Sequence, residues 1–155
     1  MSRSRSKARR FAMQALYQWH MTGQDVEDII SQYRSEDDFG KIDIAYFEEI
    51  LRRVTLRVDE IDTRLQTVLD RPVREVDPVE AAILRMSTYE LLAHPDVPFR
   101  VVINEAVDLA KVYGAANGYK YVNGILDSLA GELRPAEITQ KKTKTKHGRE
   151  KNASA

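Results

Sequence analysis

A stripe of basic, amide and aromatic side chains runs along the first predicted helix. Its members recur every three or four residues, which places them on one side of an α-helix: Lys7, Arg10, Gln14, Tyr17 and Met21. Arginine and lysine contact phosphates, a glutamine amide reads base edges, and a tyrosine ring stacks on a base or anchors a protein partner. The stripe therefore predicts an RNA-binding surface, although an ordinary solvated helix face has the same spacing.

The first ten residues concentrate positive charge on a chain whose formal net charge is zero. The basic residues in this segment are Arg3, Arg5, Lys7, Arg9 and Arg10. A second basic run lies between Lys141 and Lys151, so the body of the chain is acidic. Because an acidic body repels a polyanion, the basic ends must supply the binding. The N-terminus is the predicted RNA contact, whereas the C-terminal lysines also fit a solubilising tail.

Residue types that could support catalysis or metal binding occur only in isolation. His20, His94 and His147 have no His or Asp partner at metal-ligand spacing, and cysteine is absent. A glycine-rich phosphate loop and a Gly-x-Ser-x-Gly nucleophile motif are also missing. We therefore expect no catalytic residues, no metal and no cofactor, and we expect that the protein is not an enzyme.

Apolar residues recur at helical spacing along the body of the chain, and no strand-like alternation persists. This pattern predicts an all-α fold of about seven helices in two packed helical bundles. The expected helices cover residues 7–21, 26–33, 43–58, 60–69, 78–93, 100–113 and 118–133. Gly23 and Gly114 end the first and sixth helices, and Asp77-Pro78 begins the fifth as an N-cap followed by proline.

Two prolines, Pro72 and Pro78, bracket a short linker. We expect one RNA-binding helical domain over residues 1–135. The linker divides it into subdomains at about 1–70 and 77–135. Residues 136–155 are rich in Lys and Thr and predict a disordered basic tail. No apolar run is long enough to span a membrane, and the N-terminus lacks the apolar core of a signal peptide, so we expect a cytoplasmic protein.

Three separated motifs resemble one bacterial family. Residues 9–19 read Arg-Arg-Phe-Ala-Met-Gln-Ala-Leu-Tyr-Gln-Trp, and residues 80–91 read Glu-Ala-Ala-Ile-Leu-Arg-Met-Ser-Thr-Tyr-Glu-Leu. Residues 102–111 read Val-Ile-Asn-Glu-Ala-Val-Asp-Leu-Ala-Lys, and residues 120–127 complete the third motif as Lys-Tyr-Val-Asn-Gly-Ile-Leu-Asp. Over residues 5–134 the chain resembles the NusB family of transcription antitermination factors, and its basic tail departs from that family.

The resemblance implies two perpendicular helical bundles and a function in assembly rather than catalysis. NusB-like proteins bind the boxA element of ribosomal RNA leader transcripts as single-stranded RNA. They do so together with NusE, which is also a small-subunit ribosomal protein. The resemblance further implies that the complex joins NusA, NusG and RNA polymerase and suppresses premature termination.

By position, the resemblance assigns two surfaces. It places RNA contacts on the basic N-terminus, on Gln14 and at the start of the seventh helix, at Asn117, Lys120 and Tyr121. It places NusE contacts at Tyr17, Met21 and Glu80. The seventh helix agrees with a physical argument, because a helix N-terminus offers free N–H groups and a positive dipole to phosphate.

The sequence leaves alternatives open at several residues. Tyr121 also fits core packing, and Asn117 also fits a simple helix cap. Asn104 and Asn123 lie in otherwise apolar helices and fit structural roles, and Glu90 fits a cap for a facing helix end. Both structural and functional roles remain open for these side chains.

Two rival functions also fit the sequence. One is a lone recognition module related to the N-terminal domain of some RNA cytosine methyltransferases. The other is a pure protein-interaction module in which the basic N-terminus has no role. The sequence also leaves open whether the free protein is a monomer or a homodimer that forms through an uncovered NusE surface.

Overall fold

The computed structural model describes residues 3–140, which are helical apart from short connections. The α-helices are α1 (Arg3–Thr22), α2 (Val26–Arg34), α3 (Ile44–Leu56), α4 (Val58–Gln66), α5 (Pro78–Ala93), α6 (Phe99–Tyr113) and α7 (Gly118–Leu133). Short 3₁₀ turns lie at Phe39–Lys41 and Val73–Glu75. The predicted all-α fold is confirmed. Among the described residues, no helix combines the length and the apolar character needed to cross a membrane.

The first helix is longer than the apolar pattern predicts. It begins at Arg3 instead of Lys7, so Arg3 and Arg5 lie on helical turns rather than on an extended arm. Gly23 follows the end of α1 with φ +66°, a conformation that glycine adopts without strain. The basic residues at the N-terminus are therefore held in fixed directions around one helix.

Side-chain caps begin three of the helices. Asp77 accepts hydrogen bonds from the backbone N–H groups of Val79 and Glu80 at the start of α5, as the sequence predicts. Asp25 and Asp43 cap α2 and α3 in the same way. Each cap satisfies backbone donors that lack a partner within the first turn.

Helix α5 forms the centre of the core. It packs against α1, α3, α4, α6 and α7, and every residue from Glu80 to Leu91 is buried. A helix covered on all sides has no solvated stripe, so its charged side chains must be satisfied inside the protein, as Glu90 is by Arg9 and Arg85 by Asp62. Helices of both predicted halves therefore pack against α5, and the division into two subdomains stays a prediction.

The chain beyond α7 does not become irregular at residue 136. Residues 135–140 are helical, and Ile138 packs against the core. The side chain of Glu137 accepts a hydrogen bond from the backbone N–H of Phe99 and binds Arg134. The expectation of disorder is therefore wrong for residues 136–140, because this turn is tied to the start of α6. The rest of the predicted basic tail lies outside the described residues.

Candidate RNA and partner surfaces

The predicted stripe on α1 is present along one side of the helix. Lys7, Tyr17 and Met21 are exposed, and Arg10 and Gln14 are half-buried. Tyr17 and Met21 belong to the few large apolar side chains that are exposed within residues 3–140, with 37% and 56% of their surface accessible. The stripe thus has a basic end near the N-terminus and an apolar end near Gly23.

Arg9 does not belong to this surface. Its side chain is buried at 1% exposure, and its Nε lies 2.7 Å from Oε1 of Glu90 on α5. Its Nη1 lies 3.5 Å from Glu105 on α6. Burial alone would lower the pKa of Arg9, but the charge of Glu90, the hydrogen bond to it and the nearby Tyr46 and Glu105 together outweigh burial and raise this pKa. The prediction that Arg9 contacts RNA is wrong, because the fold turns this arginine into the core.

The two arginines of the first turn differ in how freely they can reach a ligand. Arg3 is exposed. Arg5 is half-buried, with its guanidinium 4.2 Å above the ring of Tyr46 and its Nε 3.9 Å from Asp43. Both remain predicted RNA contacts, but Arg5 must release intramolecular partners before it binds a phosphate.

Two of the three predicted contacts at the start of α7, Asn117 and Tyr121, line a cleft of about 470 Å³. Asn117 is exposed in the left-handed conformation, with φ 64°, and its side chain makes no capping hydrogen bond. The alternative that Asn117 is a side-chain cap is therefore wrong. Lys120 is exposed but does not line the cleft, and its ammonium nitrogen lies 6.0 Å from the centre of the Tyr119 ring.

Tyr121 is half-buried at the edge of the same cleft. Its hydroxyl lies 3.3 Å from Asp70, and the guanidinium of Arg71 lies 5.1 Å from the centre of its ring. Burial raises the pKa of Tyr121, and the negative charge of Asp70 adds to that effect. Asp70 and Arg71 carry no signal in the sequence that links them to Tyr121, since they precede it by about 50 residues and only the fold brings them together. An RNA base that stacks on Tyr121 must share the ring with Arg71.

Glu80 forms part of the cleft wall rather than a protruding contact. It is 6% exposed, and burial raises the pKa of its carboxyl. Its side chain lies against Gly118, at the first turn of α7, where no side chain intervenes. The expected partner contact at Glu80 stays a prediction, and the residue, largely covered by the chain itself, offers a partner only a small surface at the cleft.

Replacing Gly118 with alanine should destabilise the protein by about 1–2 kcal/mol. The added Cβ would meet the Glu80 carboxylate at a distance below any van der Waals contact. In a Glu80→Ala background the same change should become neutral or slightly stabilising, because alanine is the better helix former. Urea unfolding of the single and double variants measures both effects.

Gly131→Ala is the matched control for that experiment, because a Cβ at Gly131 on the same helix meets no atom within 4 Å. This control should stabilise the protein by about 0.5–1 kcal/mol. Equal effects of Gly118→Ala with and without the Glu80 side chain would show that the contact is unimportant.

Within residues 3–140, no group of three or more His, Asp or Glu side chains is placed to hold a metal ion. The chemistry available at these surfaces is recognition: ammonium and guanidinium groups for phosphate, amides for base edges, and rings for stacking.

A model of the NusB family matches residues 6–131. A transcription antitermination protein NusB from Pseudomonas savastanoi pv. phaseolicola is 53% identical over 137 residues, which cover 88% of this chain and 83% of that protein. A protein of the same name from Nitrosococcus oceani is 54% identical over 138 residues, covering 89% of this chain and 93% of that protein.

Two solved structures are similar to this fold. The structure of T. maritima NusB superimposes with a TM-score of 0.76 at 28% identity, and the match covers 90% of this chain and 99% of that chain. A crystal structure of the antitermination factors NusB and NusE in complex with dsRNA contains a chain that matches with a TM-score of 0.66 at 25% identity, covering 83% of this chain and 97% of its own. A family model that spans most of the chain and relatives that are more than half identical show that this chain belongs to the NusB family.

Proposed function

We propose that this protein is a transcription antitermination factor that binds the boxA element of ribosomal RNA leader transcripts together with NusE. It acts without catalysis, in the cytoplasm, within a complex that also contains NusA, NusG and RNA polymerase. Family membership supports antitermination, and the similar structure that holds NusB, NusE and RNA supports the two partners.

The observation that carries the RNA part is a set of cations with no competing acid. Within residues 3–140, the predicted RNA contacts Arg3, Lys7, Arg10 and Lys120 form no ion pair, and neither do five other basic side chains: Arg53, Arg64, Arg74, Arg100 and Lys111. The remaining basic side chains of this range are neutralised locally, as Arg52 is by Glu27 and Glu48. An unpaired cation is accessible to phosphate, and three of the four predicted contacts lie on the first turns of α1, where they form a local concentration of positive charge on an acidic protein.

The partner surface is proposed at the other end of the stripe. Tyr17 and Met21 are exposed on the last turns of α1. Large apolar side chains at the surface are typical of the centre of a protein interface. A NusE bound there would lie beside the RNA-binding end of α1 and would add its own contacts to the same strand. Self-association of the free protein through these side chains is part of the same proposal.

RNA binding should depend on salt according to the number of phosphates neutralised. If Arg3, Lys7, Arg10 and Lys120 each contact one phosphate of a single strand, the log–log slope of affinity against salt should be about −3. Lys7→Ala/Arg10→Ala should reduce the slope by about 1.4 and weaken binding at low salt. Fluorescence anisotropy with boxA RNA over a KCl series measures both quantities.

Arg53→Ala/Arg64→Ala is the control for charge alone, since both arginines are exposed on α3 and α4 outside the proposed surface. This control should leave the slope nearly unchanged. A wild-type slope near zero would contradict the electrostatic part of the proposal. Duplex RNA and a scrambled single strand belong in the same titration, and tighter binding to the duplex would contradict recognition of single-stranded boxA.

The alternative is a stand-alone RNA-recognition or protein-interaction module related to the N-terminal domain of RNA cytosine methyltransferases. A gel shift with boxA RNA in the presence and absence of NusE separates these functions. Antitermination predicts a ternary complex that is tighter than either binary complex. NusE binding without RNA binding supports a pure interaction module, and RNA binding that NusE does not enhance supports a lone recognition module.

A further inference from the structure

A groove of about 260 Å³ separates the first turns of α1 from the last turns of α6. The side chains that line it come from both helices: Ser6, Lys7, Arg10, Glu105, Asp108, Leu109, Val112 and Tyr113. The third family motif runs through its α6 wall at Glu105, Asp108 and Leu109, yet none of the proposed RNA or partner contacts lies on α6. The groove lies between the two halves of the proposed RNA surface, since Tyr113 precedes Asn117 by four residues.

The floor of the groove is held by contacts between the two helices. Ser6 donates a hydrogen bond to Oε1 of Glu105 at 2.6 Å, and the same oxygen lies 3.5 Å from Nη1 of the buried Arg9. Glu105 is therefore occupied by the protein itself. These contacts fix the distance between α1 and α6, so the groove is present before any ligand binds.

The solvent-facing part of the groove carries charged side chains that form no ion pair within residues 3–140. Asp108 lies one turn beyond Glu105, and within residues 3–140 its carboxylate makes no ion pair or hydrogen bond. Lys7 and Arg10 line the same groove and are also unpaired in that range. Cations and a carboxylate that share a groove without pairing leave both kinds of charge available to a ligand.

Two exposed apolar side chains complete the wall. Val112 is 71% exposed and Tyr113 is 38% exposed, in the last turn of α6. A tyrosine ring at a groove edge is a stacking platform for an unpaired base. The groove thus combines a stacking ring, two cations and a free carboxylate within the size of a small ligand.

The carboxylate selects among the bases. Guanine presents two adjacent N–H donors on its Watson–Crick edge, at N1 and the 2-amino group, and these match the two oxygens of an ionised carboxylate. Adenine, cytosine and uracil do not offer that pair of adjacent donors. We propose that this groove binds an unpaired guanine nucleotide of RNA, with Tyr113 stacked on the base, Asp108 on its Watson–Crick edge, and Lys7 and Arg10 on the flanking phosphates. This inference rests on the proposed RNA-binding function and names a base-specific subsite within it.

The test compares labelled oligouridines of about 12 nucleotides that carry one central guanosine, inosine or adenosine. Wild-type protein should bind the guanosine strand most tightly, and the inosine strand should be intermediate because it lacks the 2-amino donor. Asp108→Ala should weaken binding of the guanosine strand roughly tenfold and abolish the preference. Electrostatics alone predicts the opposite sign, since removing a carboxylate from an RNA surface strengthens binding to every strand.

Asp127→Ala is the matched control, because Asp127 is an exposed carboxylate on α7 outside the groove. Tyr113→Ala should weaken guanosine-strand binding about tenfold, while Tyr113→Phe should keep most of it. Urea unfolding of each variant checks that the fold is retained, and Asp108→Ala, at an exposed position, is expected to retain it.

The outcomes distinguish failure of the proposed RNA-binding function from failure of the guanine subsite alone. If the wild-type protein binds no RNA in any of these titrations, the proposed function fails and the subsite fails with it. If the wild type binds RNA but Asp108→Ala binds equally or more tightly with an unchanged base preference, the function stands and the guanine subsite is wrong.

Discussion

Replacing Arg9 with methionine should destabilise the protein by about 3–5 kcal/mol, although it removes one of five basic residues in a segment that looks like a solvated arm. Arg9 and Glu90 are each about 1% exposed and are joined across α1 and α5. Methionine fills a similar volume but leaves the Glu90 carboxylate buried without a counter-charge. Urea unfolding at pH 7 measures the loss.

The neighbouring residue supplies the control. Arg10→Met removes the same charge one position along α1, where the side chain is half-buried and forms no ion pair within residues 3–140. It should change stability by less than about 0.5 kcal/mol. Equal effects of the two substitutions would contradict the assignment of Arg9 to the core.

A double substitution tests the cause. The pair is incompletely satisfied, because Oε2 of Glu90 is buried without a close hydrogen-bond partner and Nη1 of Arg9 has only the long 3.5 Å contact with Glu105. Replacing both charges with apolar groups removes this penalty. Arg9→Met/Glu90→Met should therefore lie within about 2 kcal/mol of the wild type. A double variant as unstable as the sum of the single variants would show that packing, not charge, is the cause.

The burial of Arg9 changes how the RNA binding of its variants must be interpreted. An Arg9 variant that loses RNA binding has lost part of its fold, so that result does not identify a phosphate contact. Variants of Lys7 and Arg10 are the informative ones, because they alter the surface without disturbing the buried pair.

Replacing Arg134 with methionine should destabilise the protein by about 2–4 kcal/mol. Arg134 is 7% exposed, directly after α7. Its guanidinium donates hydrogen bonds to backbone carbonyls at and just beyond the end of α5, those of Glu90, Leu91, His94 and Val97. The last carbonyls of a helix have no partner inside the helix, so this side chain acts as the cap of the central helix.

Arg134→Lys should recover only part of the loss, because an ammonium group keeps the charge but cannot reach four carbonyls with the planar fork of a guanidinium. Arg100→Met is the control, since Arg100 is exposed at the start of α6 and its change should be below about 0.5 kcal/mol. Thermal or urea unfolding provides the measurement. A loss below about 1 kcal/mol for Arg134→Met would rule out the capping role.

Local signals account for what could be predicted from the sequence. Apolar spacing identifies each helix, and Gly23, Asp77 and Gly114 mark boundaries because caps act within a few residues. Apolar spacing places the start of α1 at Lys7 instead of Arg3, because Arg3 and Arg5 extend the helix without adding apolar residues to its pattern. The basic stripe on α1 follows from spacing alone, and the three separated motifs indicate the family.

The tertiary structure decided which of these side chains are available. Arg9 and Arg10 are chemically identical neighbours, yet one is buried and the other faces the groove, because successive helical residues point about 100° apart. The direction toward the core depends on how α1 packs on α5. A signal existed in the sequence: Arg9 precedes Ala12, Met13 and Leu16 at core spacing, and Glu90 is an acid in a stretch of α5 that is rich in apolar residues.

The sequence by itself determined that the stripe of α1 lies on one side of a helix, because residues three or four positions apart project from the same side. Its division into a groove wall and a partner end, and the burial of the neighbouring Arg9, were decided only by packing. Contacts of Glu105 on α6, of Asp70 and Arg71 before α5, and of Glu80 beneath Gly118 join residues about 40–100 positions apart in the chain. Such contacts are set by the way whole helices pack, and no local pattern along the chain encodes them.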